Sequence, residues 1–233
     1  MMVAATTSTM SFRFKQFAIQ DDRCAMKVGT DGVLLGAWAP GGTHILDVGT
    51  GCGLIALMMA QRFPKAHIDA IDIDVEAVEQ AKENGANAFM SRVQDWQGSY
   101  DLIVSNPPYF QNSLKNPDKG RQTARHTDTL SYQELLNHSA RLLTENGCLA
   151  LILPAEAETE VCEMASQEGF VLARVTRVYS KVSKPVRRVM LLFERTRNTD
   201  RFADGAQIDS LVLENETGGR SAAYSELCKE FYL

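Results

Sequence analysis

His44-Ile45-Leu46-Asp47-Val48-Gly49-Thr50-Gly51-Cys52-Gly53-Leu54-Ile55-Ala56-Leu57 reads as a strand, a glycine loop and the start of a helix. The strand is nearly continuous in apolar residues, the pattern of a parallel strand covered on both faces. Glycines at such a turn let the backbone bend tightly and approach a ligand closely. The spacing is G-x-G-x-G rather than G-x-G-x-x-G, so a pyrophosphate on the helix N-terminus is not specifically implied. Asp47, just before the glycines, suits a cationic or amino-bearing ligand better than a phosphate. Taken alone, the loop serves equally well as a structural turn.

The chain on either side has the same rhythm. Helical stretches are expected at Thr30–Trp38, Gly53–Phe63, Asp74–Asn87, Ser131–Leu143, Ala155–Glu168 and Ser221–Phe231. Ser131-x-x-Glu134 is a capping box ahead of an apolar face. Strands are expected at Ile45–Val48, Ile68–Asp72, Leu102–Ser105, Cys148–Leu153, Val171–Tyr179, Val189–Glu194 and Ile208–Leu213. Strand–helix alternation means an α/β fold, with a doubly wound, mostly parallel sheet and an antiparallel strand late in the chain. Ligands of such sheets bind at the carboxyl ends of strands. Asp72 ends the second expected strand 23 positions after Gly49. An acid about 20 residues beyond the glycines is placed to bind ribose hydroxyls.

A third strand, Leu102–Ser105, runs into Asn106-Pro107-Pro108-Tyr109. A planar exocyclic amine is a poor nucleophile because its lone pair is delocalised. The Asn106 side-chain oxygen and the Pro107 carbonyl can accept its two hydrogens. The nitrogen then moves toward tetrahedral geometry and its lone pair toward an electrophile, a preorganised polar arrangement of the catalytic kind. The prolines fix their own φ and restrict the residue before each. Tyr109 offers a flat face for stacking. The bland alternative is an Asx-Pro turn leaving a strand. Glycine loop, spaced acid and tetrapeptide in this order require three independent accidents if none is functional.

Asp47 to Gly53, Asp72 and Asn106 to Tyr109 resemble the S-adenosylmethionine-dependent amino-methyltransferases, whose sheet is Rossmann-like. The opening segment, Phe12-Arg13-Phe14-Lys15-Gln16-Phe17 and Arg23 to Gly32, resembles the tRNA1(Val) adenine-37 N6-methyltransferases. The resemblance implies S-adenosylmethionine as cofactor, held by Thr30, Asp47, Gly49, Thr50, Gly51, Gly53, Asp72 and Asn106. It implies catalysis by Asn106, Pro107, Pro108 and Tyr109 with no metal, and a tRNA anticodon loop as substrate. One departure stands out: the segment between Asn87 and Tyr100 is several residues short of the family pattern. Ser91–Gln94 supplies at most a stub of strand there. Asp95 stands in for the acid that contacts the adenine ring, and Asp95-Trp96 equally suits a short helix.

Composition fits a globular enzyme, 45% hydrophobic in 233 residues. Residues 1–11 read as a disordered tail, and 12–233 as one methyltransferase domain with an extension over 12–43. Five cysteines without a C-x-x-C pair imply reduced thiols in the cytoplasm rather than a disulfide frame or zinc site. Cys52 reads as a small filler. The N-terminus lacks the pattern of a signal peptide, and no apolar run approaches the ~18 residues of a membrane span. No obligate protein partner is evident.

The net charge of −5 conceals two basic clusters. Arg174, Arg177, Lys181, Lys184, Arg187 and Arg188 lie between Gly169 and Phe193 with no Asp or Glu among them. Lys115, Lys119, Arg121, Arg125 and His126 follow the tetrapeptide, in a long loop over Phe110 to Leu130. Arg121, Arg125, Arg187 and Arg188, with Tyr109, are the candidate substrate contacts, given the fit of Arg to phosphate. A solvated face is the alternative for each cluster. Three other functions remain open: ribosomal-RNA guanine-N2 methylation, protein-glutamine N5 methylation, and RNA binding with weak catalysis. The glutamine enzymes usually carry a helical domain upstream, and only 44 residues precede Ile45.

Overall fold

The computed structural model describes residues 11–108, 130–195 and 205–233. The chain begins with a small antiparallel pair, β1 (Phe12–Arg13) and β2 (Ala18–Ile19), followed by α1 (Thr30–Trp38). The main run is β3 (His44–Val48), α2 (Leu54–Arg62), β4 (His67–Asp72), α3 (Val75–Glu83), β5 (Ala88–Met90) and β6 (Tyr100–Ser105). It continues through α4 (Tyr132–Leu142), β7 (Leu143–Pro154), α5 (Glu158–Gln167), β8 (Val171–Tyr179), β9 (Val186–Glu194), β10 (Gln207–Val212) and α6 (Ala222–Leu227).

Eight strands form one sheet in the order β10-β8-β9-β7-β6-β3-β4-β5. Every pairing is parallel except those of β9 with β7 and β8. Alternation of side chains sorts the central strands between two cores. Ile45, Leu102, Ala150 and Ile152 face Leu34 and Leu35 of α1 and Met58 and Met59 of α2. Leu46, Ile103, Leu149 and Leu151 face Leu135 and Leu136 of α4 and Val161 of α5. Helices thus cover both faces, which is why the strands carry apolar residues on both sides. From β3 the chain winds outward to β4 and β5, then returns to β6 on the other side of β3. That reversal opens a crevice above the strand ends.

The wall of the crevice is stiff. A Cβ on Gly36 would stand 2.7 Å from Met58 Sδ and 3.0 Å from its Cβ, so α1 lies against α2 at a distance only glycine allows. Arg62 Nη1 donates to the carbonyls of Gly36 and Ala39 at 2.9 and 2.7 Å, satisfying groups left open where α1 ends. Trp38 Nε1 donates to Thr176 Oγ1 at 2.9 Å, tying α1 to β8.

Three expectations are corrected. The stub of strand expected at Ser91–Gln94 lies upstream, at Ala88–Met90, paired parallel with β4. Asp95-Trp96 forms no helix; residues 93–95 make a turn. The helix expected over Asp74–Asn87 ends at Glu83, because Gly85 at φ 101° turns the chain into β5.

Gly36→Val should destabilise the protein by about 1–3 kcal/mol, since Met58 has a packed core behind it. Urea unfolding should show a lower midpoint at unchanged slope; an unchanged midpoint would show that the helices part freely.

Candidate active site

The crevice holds a cavity of about 790 Å³, within the range of about 300–1,000 Å³ typical of small-molecule sites. Its lining includes Met26 and Thr30 before and at α1, Gly49 to Cys52, Asp72, Ser91 to Gln94, Asn106 to Pro108, and Glu134 of α4. Arg187 and Arg188 border it from β9.

The glycine loop is clamped from below. Gly49 N and Thr50 N both donate to the Ile71 carbonyl, at 2.9 and 3.0 Å. Gly49 and Gly51 sit at φ 72° and 54°, where a side chain is strained, and a Cβ on either would meet only open space. The loop therefore presents bare backbone to the cavity. Gly53 plays a different part: its missing Cβ makes room for Ala86 and Ala81, at 3.0 and 3.3 Å.

Asp47, expected to face the ligand, lies behind the loop. It is fully buried and is not among the cavity residues. Its Oδ2 accepts from Thr50 Oγ1 at 2.6 Å and from Ala56 N at 3.1 Å, stapling the loop to the first turn of α2. Oδ1 is buried and, among the described residues, has no hydrogen-bond partner. Burial pushes the Asp47 carboxyl up to about 7, against the opposing effect of those two hydrogen bonds.

Asp72 does face the cavity. Its Oδ2 accepts from Gly51 N at 2.9 Å and its Oδ1 from Asp74 N at 3.0 Å. A carboxylate offers about four lone-pair sites, so both oxygens keep acceptor capacity for a ligand. Asn106 leaves β6 at the cavity edge, and its Nδ2 donates to Met26 Sδ at 3.4 Å. A thioether only accepts, so this contact turns the Asn106 oxygen the other way. Pro107 is buried and Pro108 exposed. Burial pushes the thiols of Cys24 and Cys52 up to about 11 and about 12, which leaves them protonated near neutral pH.

The late basic cluster changes meaning in three dimensions. Its linear stretch has no acid, but the fold supplies four. Arg174 pairs with Asp209 at 2.7 Å, Arg177 with Glu158 at 2.6 Å, Lys181 with Glu214 at 3.3 Å and Arg188 with Asp31 at 2.8 Å. Among the described residues, Lys184 and Arg187 pair with no acid, and Arg187 is exposed on the cavity rim. Tyr109, Arg121 and Arg125, with Lys115, Lys119 and His126, lie outside the described residues. Sequence reasoning did not name Met26, Arg92, Gln94 or Glu134 as site residues; the nearest signals were the family resemblance over Arg23 to Gly32, which contains Met26, and the capping box at Glu134. No helix of the described residues is long and apolar enough to cross a membrane.

Residues 32–174 match the methyltransferase small domain family. A tRNA1(Val) (adenine(37)-N6)-methyltransferase of Phocaeicola vulgatus is 44% identical, over 95% of this chain and 97% of its own length. One of Parabacteroides distasonis is 45% identical over the same shares. Among solved structures, a predicted O-methyltransferase from Agrobacterium tumefaciens shares the fold, with a TM-score of 0.65 at 15% identity, over 86% of this chain and 96% of that one.

The raised Asp47 carboxyl has a consequence for stability. The folded state binds this proton more tightly than the unfolded chain does. The stabilisation is therefore complete below the ordinary carboxylate range and is lost as pH rises through about 7. Asp47→Asn removes the titrating group, so between about pH 5 and about pH 8 its melting temperature should fall less than that of the wild type. Parallel curves would show that Asp47 is ionised throughout.

Proposed function

The chain belongs to the tRNA1(Val) (adenine(37)-N6)-methyltransferase family, and on that premise we propose that it methylates N6 of adenosine 37, beside the anticodon of a valine tRNA, from S-adenosylmethionine. The observation that carries this reading is the convergence of Asn106-Pro107, the bare glycine backbone and the Asp72 carboxylate on one cavity. The relatives' names favour adenosine over the guanine and glutamine alternatives. Its place of work is the cytoplasm, where tRNA is found.

The residues present fit the cofactor. Open space above Gly49 and Gly51 admits a ligand against the backbone. Asp72, held by two backbone N–H groups, has acceptor capacity left for ribose hydroxyls. Thr30 lines the same space. Asp47 acts at one remove, by holding the loop that forms the floor. When bound, S-adenosylmethionine supplies a methyl group on a sulfonium, which needs only an aligned lone pair to accept it.

The chain's own residues provide that alignment. The Asn106 oxygen and the Pro107 carbonyl accept the two hydrogens of the target amine and hold its lone pair toward the cavity. The proline pair keeps both acceptors rigid, as near-attack geometry requires. The target lies in a single-stranded loop, where a base can be splayed from its neighbours and stacked on an aromatic face, the part assigned to Tyr109. The proton on nitrogen becomes acidic only after transfer, so no strong base is required. At the rim, Arg187, paired with no acid among the described residues, is offered to a phosphate; Arg121 and Arg125 are proposed as further phosphate contacts. Arg188 instead steadies α1 through Asp31.

Asn106→Ala should lower methyl transfer to tRNA by about 10²–10³-fold with S-adenosylmethionine affinity nearly unchanged. Asp72→Ala should do the converse, raising the cofactor dissociation constant tenfold or more, at about 1.5–3 kcal/mol per charge-assisted bond. Nucleoside mass spectrometry and isothermal titration separate the two, and wild-type turnover in Asn106→Ala would refute the proposal.

Arg187→Ala should weaken tRNA binding and flatten its salt dependence by a slope of roughly one. Cofactor affinity should not move. An unchanged salt slope would place tRNA capture elsewhere on the surface.

A further inference from the structure

We propose, resting on the cofactor reading above, that Gln94 supplies the hydrogen-bond acceptor for the 6-amino group of the cofactor's adenine ring. An adenine ring offers an exocyclic amine that only donates from the ring plane, so a site that recognises it needs an acceptor. The acid expected in that role, Asp95, is not among the cavity residues. The wall there is Ser91-Arg92-Val93-Gln94 with Leu130 and Glu134, and both Glu134 oxygens already accept hydrogen bonds from protein groups. A guanidinium such as that of Arg92 only donates. Val93 is apolar and buried. The Ser91 hydroxyl is turned to the Arg92 carbonyl at 3.0 Å.

Gln94 is oriented by a group that leaves it no choice. Its Nε2 donates to Glu134 Oε1 at 3.2 Å. The other oxygen of Glu134 accepts from Ser131 N at 2.9 Å and Ser131 Oγ at 2.7 Å. Those bonds hold the Glu134 carboxyl below its ordinary range, so it is ionised and has no hydrogen to give. The amide nitrogen of Gln94 must face Glu134, and its Oε1 must face away. Among the described residues, Oε1 takes no hydrogen bond. The backbone beneath is also fixed: Arg141 Nη2 donates to the carbonyls of Val93, Gln94 and Trp96 at 3.0, 3.3 and 2.9 Å.

The placement along the cavity agrees. In S-adenosylmethionine the ribose stands between the sulfonium and the adenine. In the strand order β6-β3-β4-β5, Asp72 at the end of β4 stands between Asn106, at the end of β6, and the segment that follows β5. With the reactive amine at Asn106 and the ribose at Asp72, the adenine falls at Ser91 to Gln94.

The test is isothermal titration with S-adenosylhomocysteine and two analogues, one lacking the 6-amino group and one with a 6-oxo group in its place. The wild type should bind the deamino analogue about tenfold more weakly, the worth of one good hydrogen bond. Gln94→Leu should bind S-adenosylhomocysteine about tenfold more weakly and lose the discrimination. Glu134→Gln gives a sharper outcome. Its side-chain oxygen stays on Ser131, as a capping-box Gln allows, and its nitrogen then faces Gln94. The Gln94 amide must invert and present a donor to the cavity, so preference should shift toward the 6-oxo analogue. Thermal melting checks that both variants fold. Retained wild-type discrimination in folded Gln94→Leu would overturn this proposal and leave the cofactor reading standing. Failure of the wild type to bind S-adenosylhomocysteine at all would overturn both.

Discussion

The buried carboxylate of Asp47 is the constraint on which the site depends. It accepts from the Thr50 hydroxyl and the Ala56 backbone while shut away from solvent. A polar group placed so deep is costly unless hydrogen-bonded, and among the described residues one oxygen is bonded and the other is not. The bonded oxygen fixes the turn from β3 into α2, and so the path of the glycine backbone. Two more bonds, from Gly49 and Thr50 to the Ile71 carbonyl, tie that path to β4. The floor of the cavity is thus made of main chain held by main chain and one acid. No side chain of the loop needs to reach the ligand.

Around that floor, the parallel pairing of β6, β3 and β4 sets the spacing of the chemistry. Ile45 pairs with Leu102 on one side and with Ile68 on the other, so the three strands end at about the same level. Asn106, the glycine loop and Asp72 follow those ends and open onto one cavity, although 58 residues of chain lie between Gly49 and Pro108. The antiparallel return of β9 beside β7 brings Arg187 and Arg188 to the same rim.

Charge shows most clearly how tertiary structure rewrites a linear pattern. The run from Arg174 to Arg188 reads as a basic face because its own segment has no acid. Folding brings Asp209, Glu158, Glu214 and Asp31 against four of its six cations. Among the described residues, Lys184 and Arg187 are left without an acid, and Arg187 borders the cavity. This reconciles an acidic chain with a nucleic-acid substrate, because association needs local rather than net positive charge.

Much of the fold and site was legible in the chain itself, for local reasons. Apolar strands, a glycine turn and capping residues are short-range devices, so α1 and β8 have the limits expected of them and most other elements lie within a few residues. Asn106 and Asp72 could be placed at strand ends from the sequence alone, and both line the cavity. What the sequence did not decide was the direction in which side chains spend their hydrogen bonds. Asp47 looked like a ligand-facing acid, but a carboxylate beside a helix N-terminus can satisfy backbone donors behind the loop instead, and it does. Asp95 looked like the adenine-side acid, but the turn over residues 93–95 leaves the cavity wall to Ser91 through Gln94. Gln94 gave no signal, because its orientation comes from Glu134, 40 residues away in the chain and adjacent only once α4 packs on the sheet. Spacing along the chain determines elements and the residues at their ends; which of two neighbouring polar groups meets the ligand depends on partners that only packing brings within hydrogen-bond reach.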